Sequence, residues 1–242
     1  MKIFLREFFA TVSLHNFTGL KNYADTGNHH HMKINILSLL AIASGIIFAT
    51  GCATTSHESA NPVSVNAIPD DCKTGGIAIG CQSWTFNHYS VMEAIDKTAA
   101  AGGKVIEFYP GQKFSPEHPD WKFDHNASDE MIAAVQARLK KAGIRAVNYG
   151  VVGIPQDEAG ARKIFEFAKK LDLYAITTES VESIDTIEKL VKEYDIRVGF
   201  HDHQRRADHP DYKMWDPNYV LSVVKDRDAR IGSCADLGHW AQ

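Results

Sequence analysis

Residues 196–203 read IRVGFHDH, an apolar run that ends in a histidine, an aspartate and a second histidine. A continuous apolar run of this length is typical of a strand that is buried on both faces of a parallel sheet. The polar ending places His201 and His203 where that strand leaves the sheet. A second run, RIGSCADLGHW at residues 230–240, also turns from apolar to polar and holds an aspartate and a histidine. The pattern predicts two buried strands that carry metal-type ligands to one edge of a sheet.

Helix-type and strand-type patterns alternate on both sides of these two runs. SIDTIEKLVKEYD has helical spacing and precedes the first run, and DPNYVLSVVKDRD separates the two. The alternation begins at residue 76 with the strand GIAIGCQSWTF and gives six strands and five helices. In the helix SDEMIAAVQARLKKAG, Ser128 is the expected N-cap and Gly143 the expected stop. Such strict alternation requires parallel strands joined by right-handed crossovers.

Two architectures have this alternation, an open doubly wound sheet and a (β/α)8 barrel. The open sheet usually carries a glycine-rich phosphate loop after its first strand, but the turn here reads CQSWTFNHYS. Polar side chains instead follow nearly every predicted strand, as they do where a barrel gathers its active site. They are Gln82, Trp84, Glu107, Asn148, Glu179, His201, His203, Asp236 and His239. We therefore predict an α/β fold, a (β/α)8 TIM barrel over residues 76–242 that is truncated after its sixth strand.

The residues before position 76 are predicted to lie outside the barrel. Residues 32–52 contain a lysine, a short apolar core and small residues before Cys52, a layout that resembles a bacterial lipoprotein signal. Residues 1–31 would then be an upstream extension from a start assigned too early. Residues 53–75 are rich in Ser, Thr, Ala, Asn and Pro and predict a flexible tether. We expect a lipid anchor at Cys52 on the periplasmic side of a bacterial cell envelope.

The charge balance argues against one class of partner. The chain has 26 basic and 30 acidic side chains and a formal net charge of −4. Nucleic-acid-binding proteins usually carry a clustered basic surface, so we expect no nucleic-acid partner. Hydrophobic residues make up 44% of the chain, which is enough for a globular core.

The polar strand endings include a set of imidazole and carboxylate groups. His201, His203, Asp236 and His239 belong to it, and Glu179 follows the preceding strand. Such groups together suit a divalent metal ion such as Mn, Zn, Co or Mg. Each histidine alone could equally be a polar loop residue satisfied by its neighbours. Four such groups on adjacent strand ends favour a site.

The segment CADLGHW after an apolar strand, with a His-x-His strand ending before it, resembles the xylose-isomerase-like TIM-barrel superfamily over residues 76–242. That superfamily includes sugar isomerases and epimerases, inosose dehydratases and endonuclease IV repair enzymes. The resemblance implies a metal held by a glutamate, an aspartate, a histidine and a second glutamate from late strands. Asp236 matches the aspartate, and His239 matches the histidine that contacts substrate. His201 stands in place of the fifth-strand glutamate, which leaves Glu179 as a candidate ligand, and the seventh- and eighth-strand ligands are absent from this sequence.

The resemblance implies a metal-dependent isomerase or epimerase that acts on a sugar or keto-sugar through an enediolate. The implied residues are Glu179, His201 and Asp236 for the metal, Glu179 or His203 for proton transfer, and Trp84, Glu107 and His239 for the substrate. Trp84 is equally consistent with ordinary packing at the barrel mouth.

Three alternatives use the same barrel. Expulsion of a β-leaving group would make the protein a dehydratase or lyase on 3-keto-sugars or keto-glycosides. Loss of catalysis would leave a sugar-binding lipoprotein. An endonuclease is disfavoured because the second and third strand endings, IEFYP and NYGVVG, lack histidine. The expected partner is a small carbohydrate, and a homo-oligomer is compatible with the sequence.

Overall fold

A computed structural model describes residues 67–240 of the protein. Its main sheet has six strands, which hydrogen-bond in sequence order from β1 at one edge to β6 at the other. All five pairings between neighbouring strands are parallel. The strands are β1 Gly80–Gln82, β2 Val105–Phe108, β3 Arg145–Tyr149, β4 Ala175–Thr178, β5 Arg197–His201 and β6 Ile231–Cys234. A doubly wound sheet reverses its strand order part-way, whereas strands added in one direction form the wall of a (β/α)8 barrel. The predicted fold class is confirmed, with six barrel strands in the described residues.

Helices connect the strands and begin and end at recognisable residues. Ser128 accepts a hydrogen bond from the Met131 amide at the start of α2, and Gly143 ends that helix at a φ of 66°. Both sequence predictions for this helix are confirmed, because Ser satisfies an unpaired amide and glycine tolerates the left-handed conformation. The helices are α1 Val91–Ala100, α2 Asp129–Ala142, α3 Glu158–Lys170, α4 Ile184–Tyr194, α5 Pro217–Val224 and α6 Leu237–Trp240. Within residues 67–240, none of them has both the length and the apolar character needed to cross a membrane.

The larger hydrophobic core lies between the sheet and its covering helices. Ile106, Phe108 and Phe200 on the strands are fully buried there against apolar helix residues such as Ile95 and Leu190. Removing one such side chain from water contributes about 1.5–3 kcal/mol. The core therefore fixes the strands relative to one another, and with them the side chains at the strand ends.

A second, smaller apolar cluster lies towards the N-terminal ends of the strands. Ile68, Val105, Val147 and Tyr174 are all buried in it. A 3-10 helix at Asp70–Cys72 and an antiparallel hairpin of Lys73–Thr74 with Ile77–Ala78 follow Ile68. Secondary structure is thus present ahead of residue 76, within the last part of the predicted tether. The predicted extension, lipoprotein signal and remaining tether, residues 1–66, lie outside the described residues.

Two predicted strands differ from the observed elements. The predicted strand at residues 76–86 divides into one arm of the hairpin, strand β1 and a 3-10 helix at Ser83–Phe86. The predicted strand at 230–240 ends at Cys234, and a helical turn, α6, follows. The turn forms because Asp236 Oδ1 accepts hydrogen bonds from the amides of Gly238, at 2.9 Å, and His239, at 3.2 Å. His239 is therefore a helix residue and not a strand residue.

Candidate metal centre at the strand ends

Strands β4, β5 and β6 bring four of the predicted residues to one edge of the sheet. Glu179 directly follows β4, and His201 is the last residue of β5. His203 lies two residues after β5 ends, and Asp236 lies two residues after β6 ends. Because the three strands are parallel and adjacent, their carboxyl ends meet at the same edge.

Glu179 is the centre of a compact hydrogen-bonded cluster. Its Oε1 lies 3.2 Å from Nδ1 of His201 and also contacts Nδ1 of His203. Its Oε2 accepts a hydrogen bond of 3.1 Å from the hydroxyl of Tyr212. The donor atoms of Glu179, His201 and His203 all lie within 4.8 Å of one another. Metal–nitrogen and metal–oxygen bonds of about 2.0–2.2 Å allow two ligands of one ion to lie up to about 4 Å apart, so the cluster fits a divalent ion after small side-chain movements.

Asp236 lies on the other side of the His201 ring. Its Oδ2 is 3.8 Å from Nε2 of His201 and 3.8 Å from Nε2 of His239. His201 thus faces Glu179 through one nitrogen and Asp236 through the other. The described structure groups Glu179 and His201 with His203 and places Asp236 next to this group. The metal set of Glu179, His201 and Asp236 stays a prediction.

The pKa values in the cluster reflect its short contacts. Burial alone would raise the pKa of Glu179, but hydrogen bonds from His201 and His203 lower it to about 2. The hydrogen bond to Glu179 raises the pKa of His203, against the opposing effect of burial. Without a metal, Glu179 is therefore an ionised carboxylate, and His203 binds a proton more readily than an ordinary histidine does. A cation at this position would replace that proton.

Two further residues hold the cluster in place. Asp202 lies between His201 and His203 in the sequence, and its side chain is fully buried. Its Oδ1 accepts a hydrogen bond of 2.8 Å from the Asp236 amide. Burial raises the pKa of the Asp202 carboxyl. Tyr212 donates to Glu179 and accepts a hydrogen bond of 2.9 Å from the His203 amide. The sequence alone predicts no role for either residue. The feature of the sequence that points to this region is the long loop after β5, which is rich in polar and aromatic residues.

The predicted substrate residues divide into two groups. The ring of His239 lies 4.5 Å from that of His203, centroid to centroid, so His239 belongs to the cluster. Glu107 is buried on β2, where its Oε1 accepts a hydrogen bond of 3.2 Å from Gln82 Nε2. Trp84 follows β1, is 45% exposed and packs edge-on against Tyr109 at 4.9 Å. Trp84 and Glu107 therefore lie at β1 and β2, the first two strands of the sheet.

Comparisons with known proteins identify solved structures that are similar to this chain. No family model and no curated protein matches the chain. The crystal structure of an uncharacterized protein from Parabacteroides distasonis ATCC 8503 has 29% sequence identity and a TM-score of 0.55, over 66% of this chain and 63% of that one. The two chains share a fold. This chain spans less than two thirds of that protein's length.

Two sugar epimerase structures are more distant. A D-psicose 3-epimerase solved in the presence of D-fructose has 16% identity and a TM-score of 0.49, over 66% of this chain and 61% of that one. A D-psicose 3-epimerase from Clostridium cellulolyticum H10, solved with D-tagatose, has 16% identity and a TM-score of 0.47, over 62% and 59%.

Proposed function

We propose that the protein is a divalent-metal-dependent isomerase or epimerase that acts on a sugar or keto-sugar. The observation that carries the proposal is the convergence of the Glu179 carboxylate with the imidazoles of His201 and His203 at the carboxyl edge of a parallel sheet. Barrels of this type place their chemistry at that edge. Asp236 and His239 extend the same cluster by a further carboxylate and imidazole.

The chemistry of the donor atoms narrows the choice of metal ion. A mixed set of imidazole nitrogens and carboxylate oxygens suits Mn, Zn or Co, and Mg is the candidate that depends most on the oxygens. Glu179 and His201 would hold the ion, and Asp236, whose Oδ2 faces the opposite nitrogen of His201, would join them after rotation of a side chain. When bound, such an ion supplies a Lewis acid for the carbonyl oxygen and the neighbouring hydroxyl of the sugar.

Proton transfer falls to His203 and Glu179. His203 is half-exposed, and Glu179 engages its Nδ1, which leaves Nε2 to exchange a proton with a bound sugar. His203 would take a proton from the carbon next to the carbonyl and then return it. Glu179 orients the ring and stabilises its charged form. Return of the proton by the same side chain to the neighbouring carbon gives isomerisation, and epimerisation requires a second group that protonates the opposite face of the sugar.

Proton exchange with heavy water tests this function. The metal-loaded protein is incubated in D2O with a panel of ketoses and 3-keto-glycosides, and deuterium at the carbon next to the carbonyl is followed by NMR. We expect exchange that stops on chelation and in Glu179→Gln. Release of an aglycone would assign the lyase reaction, and loss of water to give an unsaturated keto-sugar would assign the dehydratase reaction. Sugar binding without exchange would assign a binding protein.

The cellular context is part of the proposal. A lipid anchor at Cys52 would place the site on the periplasmic side of a bacterial envelope, where carbohydrates are the expected partners. Cys52→Ser should move the protein from the membrane fraction to the soluble fraction. An unchanged distribution between the two fractions would contradict the lipid anchor and leave the proposed metal site unaffected.

A further inference from the structure

The loop of residues 204–216 after β5 lines two neighbouring cavities. Tyr212 anchors this loop, because its hydroxyl contacts both Glu179 and the His203 amide. The first cavity, of about 470 Å³, includes Glu179 in its lining, and the second, of about 330 Å³, lies against the loop itself. Arg206, Pro210 and Tyr212 line both cavities. Each volume falls within the range of about 300–1,000 Å³ that ligand sites occupy.

The two cavities differ in the sign of their charge. Three carboxylates, those of Glu179, Asp208 and Asp211, line the first cavity together with His209 and one arginine, Arg206. The second cavity is lined by three cationic side chains and a single carboxylate, and it adds a tryptophan wall. These residues are Arg205, Arg206, Lys213, Asp216 and Trp215. The first cavity therefore disfavours an anion, and the second attracts one.

The cations of the second cavity keep much of their charge for a ligand. Its one carboxylate, that of Asp216, is engaged as the N-cap of α5 and accepts a hydrogen bond of 2.9 Å from the Asn218 amide. Arg206 lies 3.6 Å from Asp208. Within residues 67–240, neither Arg205 nor Lys213 has a salt bridge. The guanidinium of Arg205 instead lies over the ring of Trp215 at 5.1 Å.

We propose that the second cavity binds an oxyanion group of the substrate, a carboxylate or a phosphate, while the sugar ring occupies the first cavity beside Glu179. The substrate class is then an acidic sugar. This inference rests on the proposed function, because it names what that site acts on. A guanidinium offers paired donors that match the oxygens of both anions, and the ring of Trp215 supports Arg205 in the orientation that presents them.

The arrangement also orients the substrate. Three carboxylates line the first cavity, whereas the second cavity adds the cations Arg205 and Lys213. An acidic sugar would therefore enter with its anion towards Arg205 and Lys213 and its uncharged carbonyl end towards Glu179 and the histidines. Recognition and chemistry would occupy two neighbouring cavities that share Tyr212 in their lining.

Binding to the full-length, metal-free protein tests this inference by calorimetry at low ionic strength. The probes are inorganic phosphate, D-glucuronate and, as the uncharged comparison, D-glucose. We expect at least one of the two anions to bind while glucose does not, and we expect added salt to weaken the binding. Phosphate without glucuronate would assign a phosphorylated sugar, and glucuronate without phosphate would assign a uronic acid.

Matched charge variants separate the cavity from the protein's general charge. Arg205→Gln/Lys213→Gln should weaken anion binding about tenfold, because it removes two donors of charge-assisted hydrogen bonds. Lys140→Gln/Lys169→Gln removes two exposed cations from α2 and α3 and should change the affinity less than about twofold. Lys213→Gln alone serves as the milder variant if the double substitution does not fold.

The outcomes distinguish this inference from the proposed function. Absence of anion binding, equal binding of glucose, or equal loss in both double variants would overturn the anion site and leave the metal site standing. Anion binding that depends on Arg205 and Lys213, in a protein that binds no Mn, Zn or Co, would support the cavity while refuting the metal-dependent reaction.

Discussion

The two ends of the parallel sheet contain different kinds of side chain. At the N-terminal end, Ile68, Val105, Val147 and Tyr174 pack into a small buried apolar cluster. At the carboxyl end, carboxylates and imidazoles lie in contact with one another at the ends of three adjacent strands, around Glu179. Apolar burial stabilises a fold, whereas buried or half-buried ionisable groups cost stability unless they are paired. The comparison indicates that one end contributes to stability and that the other holds the candidate site.

The largest expected effect is on stability at the apolar end. Ile68→Ala should lower the free energy of unfolding by about 2–4 kcal/mol, because it leaves a cavity in a buried cluster. Ile77→Ala is the matched control: its side chain is 56% exposed, and the expected change is within about 0.5 kcal/mol. Urea denaturation measures both. Equal, small effects would mean that residue 68 belongs to the flexible tether and not to the core.

At the carboxyl end, the largest expected effect is on metal binding. Glu179→Gln should weaken the affinity for Mn or Zn by about 100-fold or more, because it removes the only carboxylate in contact with both His201 and His203 among the described residues. Glu182→Gln, an exposed glutamate three residues on, is the matched control. Calorimetric titration of both variants measures the difference. A similar metal affinity in Glu179→Gln and Glu182→Gln would contradict the assignment of a metal site to the carboxyl end of the sheet.

A smaller effect is expected from the residue that orients Glu179. Tyr212→Phe removes the hydroxyl that contacts Glu179 and the His203 amide, and metal affinity should fall by about tenfold, as it does when the supports of metal ligands are lost. Tyr219→Phe on α5 serves as the control. Circular dichroism of both variants checks that the fold is intact. An unchanged affinity in Tyr212→Phe would limit this tyrosine to holding the loop.

The smallest expected effect is on the pH dependence of stability in the metal-free protein. The pKa of His203 is raised in the folded state above its ordinary value of 6.5, so its pairing with Glu179 contributes fully below that pH. The contribution is lost as the pH rises through the folded-state pKa. It should amount to less than about 1 kcal/mol, because the His203 side chain is 42% exposed. Urea denaturation at about pH 6 and about pH 8 measures it. The same slope in Glu179→Gln would contradict the assignment.

The sequence predicts the elements better than it predicts the contacts between them. The helix α2, with its cap and stop, follows from local chemistry at Ser128 and Gly143. The positions of His201 at the end of β5 and of Asp236 after β6 follow because a polar residue that ends an apolar run leaves the sheet at its edge. The role of Tyr212 could not be predicted, since it depends on how the loop after β5 folds back over Glu179. The helical position of His239 was missed because a single capping aspartate decides it.

The most direct test of the account is the metal content of the purified protein, measured by mass spectrometry beside Asp236→Asn. The asparagine keeps the oxygen that caps α6 and removes the charge that faces His201 and His239. The account predicts about one equivalent of Mn, Zn or Co per chain in the unaltered protein and a clear loss in the variant. Absence of metal from both, after incubation with each ion, would contradict a metal-dependent sugar isomerase. It would leave a carbohydrate-binding protein as the better account of the fold.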